Sequence, residues 1–240
     1  MMTTELLIFD CDGVLIDSEP LSSLVLWQAL LRAGVSISQA EVHRRFTGYS
    51  QEDAHRICSE ELGVDDVDAM FARCRTDLYA EFARSLTPMK GIAALVASLG
   101  QRKCVASNST MERLKSSLGR FELWHEFTPN IFSADMVARP KPAPDLFLLC
   151  AETFGVDPAH CLVVDDSPHG IEGAVAAGMR AIGFIDPADP RKGRRAVLAE
   201  AGAMLVATGA DELRRAFDTV FSPPSGAALA RDGVAVAMPA

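Results

Sequence analysis

Apolar and polar positions alternate between two rhythms along this chain. Short apolar runs bounded by turn residues occur at 6–9, 103–106, 131–132, 162–164, 181–184 and, more weakly, 204–206. Runs without internal polar alternation suit strands buried on both faces, as in a parallel sheet. From about residue 100 onward, helical stretches lie between the strands. One spans 110–118 and stops at Gly119, another spans 142–154 and stops at Gly155, and a third opens at Ser167-Pro168 and closes at Gly178. The alternation predicts an α/β fold with a doubly wound, Rossmann-like parallel sheet.

The segment after the first strand breaks this rhythm, because residues 19–87 contain helical patterns and no convincing strand. One helix runs from Ser18-Glu19-Pro20 to Gly34, and a second starts at Ser38 with Glu41 completing a capping box. Two more cover about 50–62, ending at Gly63, and 65–83. The predicted organisation is a core of residues 1–18 and 88–240 carrying a helical insert at 19–87. The tail from Ser222, rich in Pro, Ala and Gly, is expected to be loosely ordered.

Composition and the chain's start change the picture in four places. With 49% hydrophobic residues and no apolar stretch approaching the ~18 positions of a membrane span, the 240 residues read as a soluble globular chain. The start, Met1-Met2-Thr3-Thr4-Glu5, has no basic leader pattern, so a cytoplasmic location is the expectation. The six cysteines are scattered without metal-type spacing and read as reduced, buried thiols. A net charge of −9 argues against a nucleic-acid partner, so an anionic ligand would need positive charge supplied locally.

The candidate chemistry gathers at strand ends. The first strand runs into Asp10-Cys11-Asp12-Gly13, two carboxylates at the edge where open α/β sheets bind ligands. In extended backbone the two side chains would share a face and repel unless a cation or proton lay between them. A turn or a calcium loop is the alternative, although Val14 and Ile16 supply no further oxygen ligands. The fourth strand ends in Asp165-Asp166, and four acids at one edge predict a hard divalent cation, most plausibly Mg²⁺. Asp166 is also open to a helix-capping role. Ser107-Asn108 precedes a helix start and can cradle an anion or simply cap that helix. Lys141, held between Pro140 and Pro142, can be fixed toward the same edge or can be a plain helix entry. Together these groups suit phosphoryl transfer.

The four motifs, in this order across nearly the whole chain, resemble the haloacid dehalogenase superfamily. The helical insert is similar to the cap of the branch containing β-phosphoglucomutase and 6-phosphogluconate phosphatase-like enzymes. The resemblance implies that Asp10 is the nucleophile, forming an aspartyl phosphate, and Asp12 the general acid and base. Ser107 and the Asn108 backbone would hold the phosphoryl oxygens, and Lys141 would neutralise charge. Mg²⁺ would be bound by Asp10, the Asp12 carbonyl, Asp165 and Asp166. In the cap, Gly48, Gln51, Arg45 and Arg75 would face the substrate, with a solvated helix face as the alternative for the arginines.

The resemblance implies a Mg²⁺-dependent phosphatase acting, as a monomer, on a small sugar or sugar-acid phosphate. Two alternatives stand. A phosphosugar mutase is disfavoured by Ser22, where the mutase carries a histidine, and by Gln51, where it carries an arginine. A non-catalytic binding protein on this fold is disfavoured because Asp10, Asp12 and Lys141 are all present.

Overall fold

The computed structural model describes residues 3–47 and 51–221, with the side chains of Gln51 and Glu52 excepted. Six strands form one parallel sheet: β1 (Leu6–Phe9), β2 (Arg102–Ser107), β3 (Ile131–Ser133), β4 (Cys161–Asp165), β5 (Arg180–Ile185) and β6 (Leu205–Thr208). Their order is β3-β2-β1-β4-β5-β6, so β1 lies between β2 and β4, with Leu6 opposite Arg102 on one side and Cys161 on the other. The order reverses direction between β1 and β4. That crevice at the carboxyl ends is where such sheets bind ligands.

All four residues of β1 are fully buried because both faces of the sheet are covered. Leu7 and Phe9 belong to one core cluster with Val105, Val164 and Phe184, while Leu6 and Ile8 belong to a second with Cys104, Val163 and Ala181. The period of two along the strands sends alternate side chains to opposite layers. Phe9 also meets Phe127 and Phe217 edge-on at 5.7 and 6.3 Å. Truncating Phe9 to Ala would cost about 3–5 kcal/mol.

Helices complete the layers: α1 (Glu19–Arg32), α2 (Gln39–Phe46), α3 (Gln51–Arg56, continued by a π-turn, Ile57–Glu61), α4 (Val67–Ser85), α5 (Ile92–Ala97), α6 (Met111–Ser116), α7 (Asp145–Phe154), α8 (Pro168–Ala176), α9 (Arg194–Glu200) and α10 (Gly209–Phe221). Among the described residues, the stretch between β1 and β2 is helical and contains no strand of the sheet. It has a core of its own, in which Leu30, Val42, Phe46, Ile57 and Val67 pack together. Through Leu78 and Phe82, α4 also reaches the core beneath the sheet. Ser38 caps α2 by accepting from the Glu41 N–H at 3.2 Å, whereas the Glu41 carboxylate turns to Arg44 at 2.6 Å. Only one half of the predicted capping box therefore forms.

Two linkers join the insert to the sheet, and they run side by side. Ile16 bridges Pro88 in antiparallel fashion, the Asp17 N–H donates to the Thr87 carbonyl at 3.0 Å, and Met89 N–H donates to Leu15 at 2.9 Å. Among the described residues no helix is long and apolar enough to cross a membrane, and all six cysteines are free and buried.

Candidate active site

At the crevice between β1 and β4, the Lys141 ammonium donates to Asp10 Oδ1 and to Asp165 Oδ2, both at 2.7 Å. Asp165 is fully buried and Lys141 is 6% exposed, so these charges face each other with little solvent between them. The Asp165 carboxylate is further held by the Ser167 N–H and hydroxyl, each 2.9 Å from Oδ1. Beneath it lies Gly170 of α8, where a Cβ would sit 1.9 Å from the Asp165 carboxyl carbon. Only glycine lets the helix pass so close.

Lys141 is aimed by Asn108. The Asn108 side-chain amide donates to the Lys141 carbonyl and accepts from the Lys141 N–H, both at 2.9 Å. This two-bond clamp fixes the lysine backbone, and the ammonium rests 5.1 Å from the Phe147 ring centre. Ser107, buried at the end of β2, accepts from the Ser109 N–H at 3.1 Å.

Oxygen atoms of Asp10, Asp165 and Asp166 lie within 4.8 Å of one another. Gly13, at φ +76°, turns the chain directly against this group, and a Cβ there would fall 2.9 Å from Asp166 Oδ2. Burial pushes the Asp10 carboxyl up to about 8, with Lys141 pulling against it and Asp165 adding to it. Burial, then Glu19, Asp165 and Asp10, push Asp166 well above the ordinary range, with Arg194 opposing. Three carboxylates facing one ammonium leave excess negative charge in a dry place. Hard oxygen donors arranged in this way fit a divalent cation.

Asp12 stands apart from this group. Its Oδ1 accepts from the Ser18 hydroxyl and from Arg113 Nη2 at 3.0 Å, and its Oδ2 accepts from the Ser109 hydroxyl at 2.6 Å. Burial opposes its charge, but the Arg113 guanidinium and the two hydroxyls prevail and hold its carboxyl below the usual range. Asp10 continues the strand pairing, its N–H donating to the Val164 carbonyl at 2.9 Å, and the chain then turns back on itself over 11–16, with Leu15 N–H donating to Cys11 at 2.9 Å and Gly13 N–H to Ile16 at 2.9 Å. The carboxylates of Asp10 and Asp12 therefore find different cations, Lys141 and Arg113.

Of the residues singled out in the insert, only Arg45 and Arg75 have described side chains. Arg45 pairs with Glu61, and Arg75 is exposed on α4. Gly48 lies outside the described residues, and of Gln51 only the backbone, opening α3, is described. The structure instead brings in residues that sequence reasoning missed. Ser18 stands in the sequence only at the start of a predicted helix, and Ser109 only between Ser107-Asn108 and the helix predicted from 110. Arg113 carried no signal at all, lying 101 positions from the acid it meets. A further charged cluster follows β5, where Arg191 pairs with Asp189 at 2.7 Å and reaches Glu19 at 3.4 Å, and Arg194 donates to the Asp166 carbonyl. Burial raises the Glu19 carboxyl to about 7 against the pull of Arg191.

Comparison with known proteins bears on the fold and the reaction class. The model of the haloacid dehalogenase-like hydrolases matches residues 7–184. The 6-phosphogluconate phosphatase of Escherichia coli is 30% identical over 194 residues, covering 79% of this chain and 86% of that protein. Among solved structures, a haloacid dehalogenase-like protein of unknown function from Agrobacterium tumefaciens superposes with a TM-score of 0.82 at 35% identity, covering 91% of this chain and all of that one. A family hydrolase from Deinococcus radiodurans, solved with bound phosphate and sodium, gives a TM-score of 0.77 at 27% identity, covering 92% and 97%. The chain belongs to the haloacid dehalogenase-like hydrolase family, as a phosphoric monoester hydrolase.

Proposed function

We propose that this protein is a Mg²⁺-dependent phosphatase that hydrolyses a small sugar or sugar-acid phosphate through an aspartyl-phosphate intermediate. The observation that carries the reading is the Lys141 ammonium, 2.7 Å from both Asp10 and Asp165 at the crevice of the sheet. An Asp10 carboxylate next to a fixed cation can attack phosphorus, forming the Asp10–phosphorus bond as the bond to the leaving sugar oxygen breaks. Asp12, which must enter this step protonated against the pull of Arg113, gives that oxygen its proton. It then takes a proton from water as the water attacks phosphorus, which releases inorganic phosphate and restores Asp10. Ser107 and the Asn108 backbone hold the phosphoryl oxygens, and Lys141 balances their charge.

Asp10, Asp165, Asp166 and the Asp12 carbonyl would hold Mg²⁺, which would supply the positive charge that keeps Asp10 ionised beside an anionic substrate. Residues 1–18 and 88–240 form the catalytic core in this reading, and 19–87 form a cap that closes over it and selects the substrate. The antiparallel linkers at 15–17 and 87–89 are suited to a hinge. Ser22 is hydrogen-bonded to Arg113 at 3.3 Å and offers Asp12 no imidazole, which favours hydrolysis over the mutase reaction. One chain carries every group named, in keeping with a monomer, and six unpaired buried thiols suit the reducing cytoplasm.

The test is phosphate release from a panel of phosphorylated metabolites, including 6-phosphogluconate and hexose phosphates, with Mg²⁺ and with EDTA. Mg²⁺-dependent release is expected. Interconversion of hexose phosphates without release would overturn the reading.

A further inference from the structure

Arg113 touches both sides of the molecule at once. It lies on α6, in the sheet domain, and donates to Asp12 Oδ1 at 3.0 Å through Nη2. The same nitrogen reaches the Ser22 hydroxyl on α1 at 3.3 Å, and the guanidinium carbon sits 5.3 Å from the centre of the Phe82 ring on α4. Asp12 is thus gripped by a hydroxyl at the linker (Ser18), a hydroxyl next to Ser107 (Ser109) and an arginine braced by two helices of the insert.

A purely structural ion pair explains this poorly. Arg113 Nε is buried and has no partner among the described residues. A buried donor left unsatisfied costs stability, and a buried ion pair returns little of it. What the arrangement does supply is direction: Arg113 holds the Asp12 carboxylate away from the Asp10, Asp165 and Asp166 group while keeping it at the crevice.

We infer that Arg113 is a positioning residue for Asp12, and that it ties the aim of that carboxylate to the seating of the helical insert on the sheet. The inference rests on the phosphatase reading and deepens it. If Arg113 aims the group that moves protons, its loss must be felt most where proton movement limits the rate. Sugar phosphates need a proton on the leaving oxygen, whereas the nitrophenolate of para-nitrophenyl phosphate leaves without one. Removal of the phosphoryl group from Asp10 by water needs Asp12 with either substrate.

Arg113→Met keeps an apolar stem over Phe82 and removes the guanidinium. With a sugar phosphate its kcat should fall by roughly 10- to 100-fold, the scale of a misplaced catalytic group, while KM stays within about threefold. With para-nitrophenyl phosphate the first turnover should stay within about threefold of wild type and later turnovers should slow, giving a burst of one nitrophenolate per enzyme. Arg113→Lys should recover part of the lost kcat. Should Arg113→Met not fold, Arg113→Lys carries the test alone, with kcat lower by about 3- to 10-fold at unchanged KM. First and later turnovers falling together, a change in KM alone, or no change would overturn the positioning role. A wild-type protein that releases phosphate from no monoester would overturn the phosphatase reading itself, a result distinguishable because it needs no variant.

Discussion

The sheet edge and the helical insert treat their charges in opposite ways. At the edge, Asp10, Asp165 and Lys141 are buried, held by 2.7 Å contacts and aimed by neighbours such as Asn108 and Ser167. On the insert, Arg44 pairs with Glu41 and Arg32 with Asp77 largely in solvent, and the half-buried Arg45 pairs with the exposed Glu61. Exposed pairs of this kind are worth at most about 1 kcal/mol and are screened by salt. Buried charges with fixed partners, in contrast, act at full strength on whatever enters beside them. Chemistry that must be the same for every substrate is built into the rigid region. In the proposed reading, selection of the substrate would fall to the insert, whose exposed charges are free to rearrange.

The sharpest way to break this comparison is at its centre. Asp10→Asn should lower turnover by at least about 10³-fold while the far-ultraviolet spectrum stays native, because it removes the attacking oxygen and nothing from the core. Turnover near the wild-type rate would remove Asp10 as nucleophile.

Metal removal comes next. EDTA should abolish most activity, and added Mg²⁺ should restore it. Thermal melting then gives the sign of the coupling to pH. Burial raises the Asp10 carboxyl to about 8 and Asp166 well above its ordinary value. Groups raised on folding favour the native state below the unfolded carboxyl value of about 4, and that stability is lost as pH rises through the folded value. The metal-free protein should therefore melt lower as pH rises toward about 8, and the gain in Tm on adding Mg²⁺ should widen over the same interval. A gain that stays flat with pH would contradict the carboxylate site.

Gly170→Ala probes how tightly the edge is built. Its Cβ would lie 1.9 Å from the Asp165 carboxyl carbon, so Asp165, and Lys141 with it, must shift. A loss of about 1–3 kcal/mol is expected, or roughly 2–12 °C in Tm, with activity reduced as well. A native melting curve would show the helix to be more yielding than its packing implies.

The smallest effects belong to the insert. Arg45→Ala and Arg75→Ala should each change kcat by less than about threefold and leave Tm almost unmoved. Any larger effect should appear in KM for particular substrates. A tenfold fall in kcat from either would erase the distinction between the regions.

How far the sequence was legible follows the same division. The strands could be read because runs such as 6–9 and 162–164 are apolar at every position, which a strand covered on both faces requires. Asp10, Lys141 and Asp165 could be placed because each follows a strand or a proline-flanked turn at one sheet edge. The aim of Asp12 could not, since it depends on a coil over 11–16 that no period reveals. Nor could Arg113, Arg191 and Arg194, whose partners are set by how helices and loops pack across the crevice. Local pattern encodes which face is buried; it does not encode which distant cation an exposed-looking acid will meet.

The position of β1 in the sheet has a consequence for how the chain comes together. It is a central strand, yet its partners begin only at Arg102 and Cys161, with the whole helical insert intervening. During synthesis its apolar side chains and both of its edges must wait for sequence not yet made, a situation that exposes a chain to wrong pairing. The insert is built from local contacts around its own small core and can form in that interval. Its folding would bring residue 88 back beside residue 16, so that the return of the chain delivers β2 to the strand that has been waiting for it.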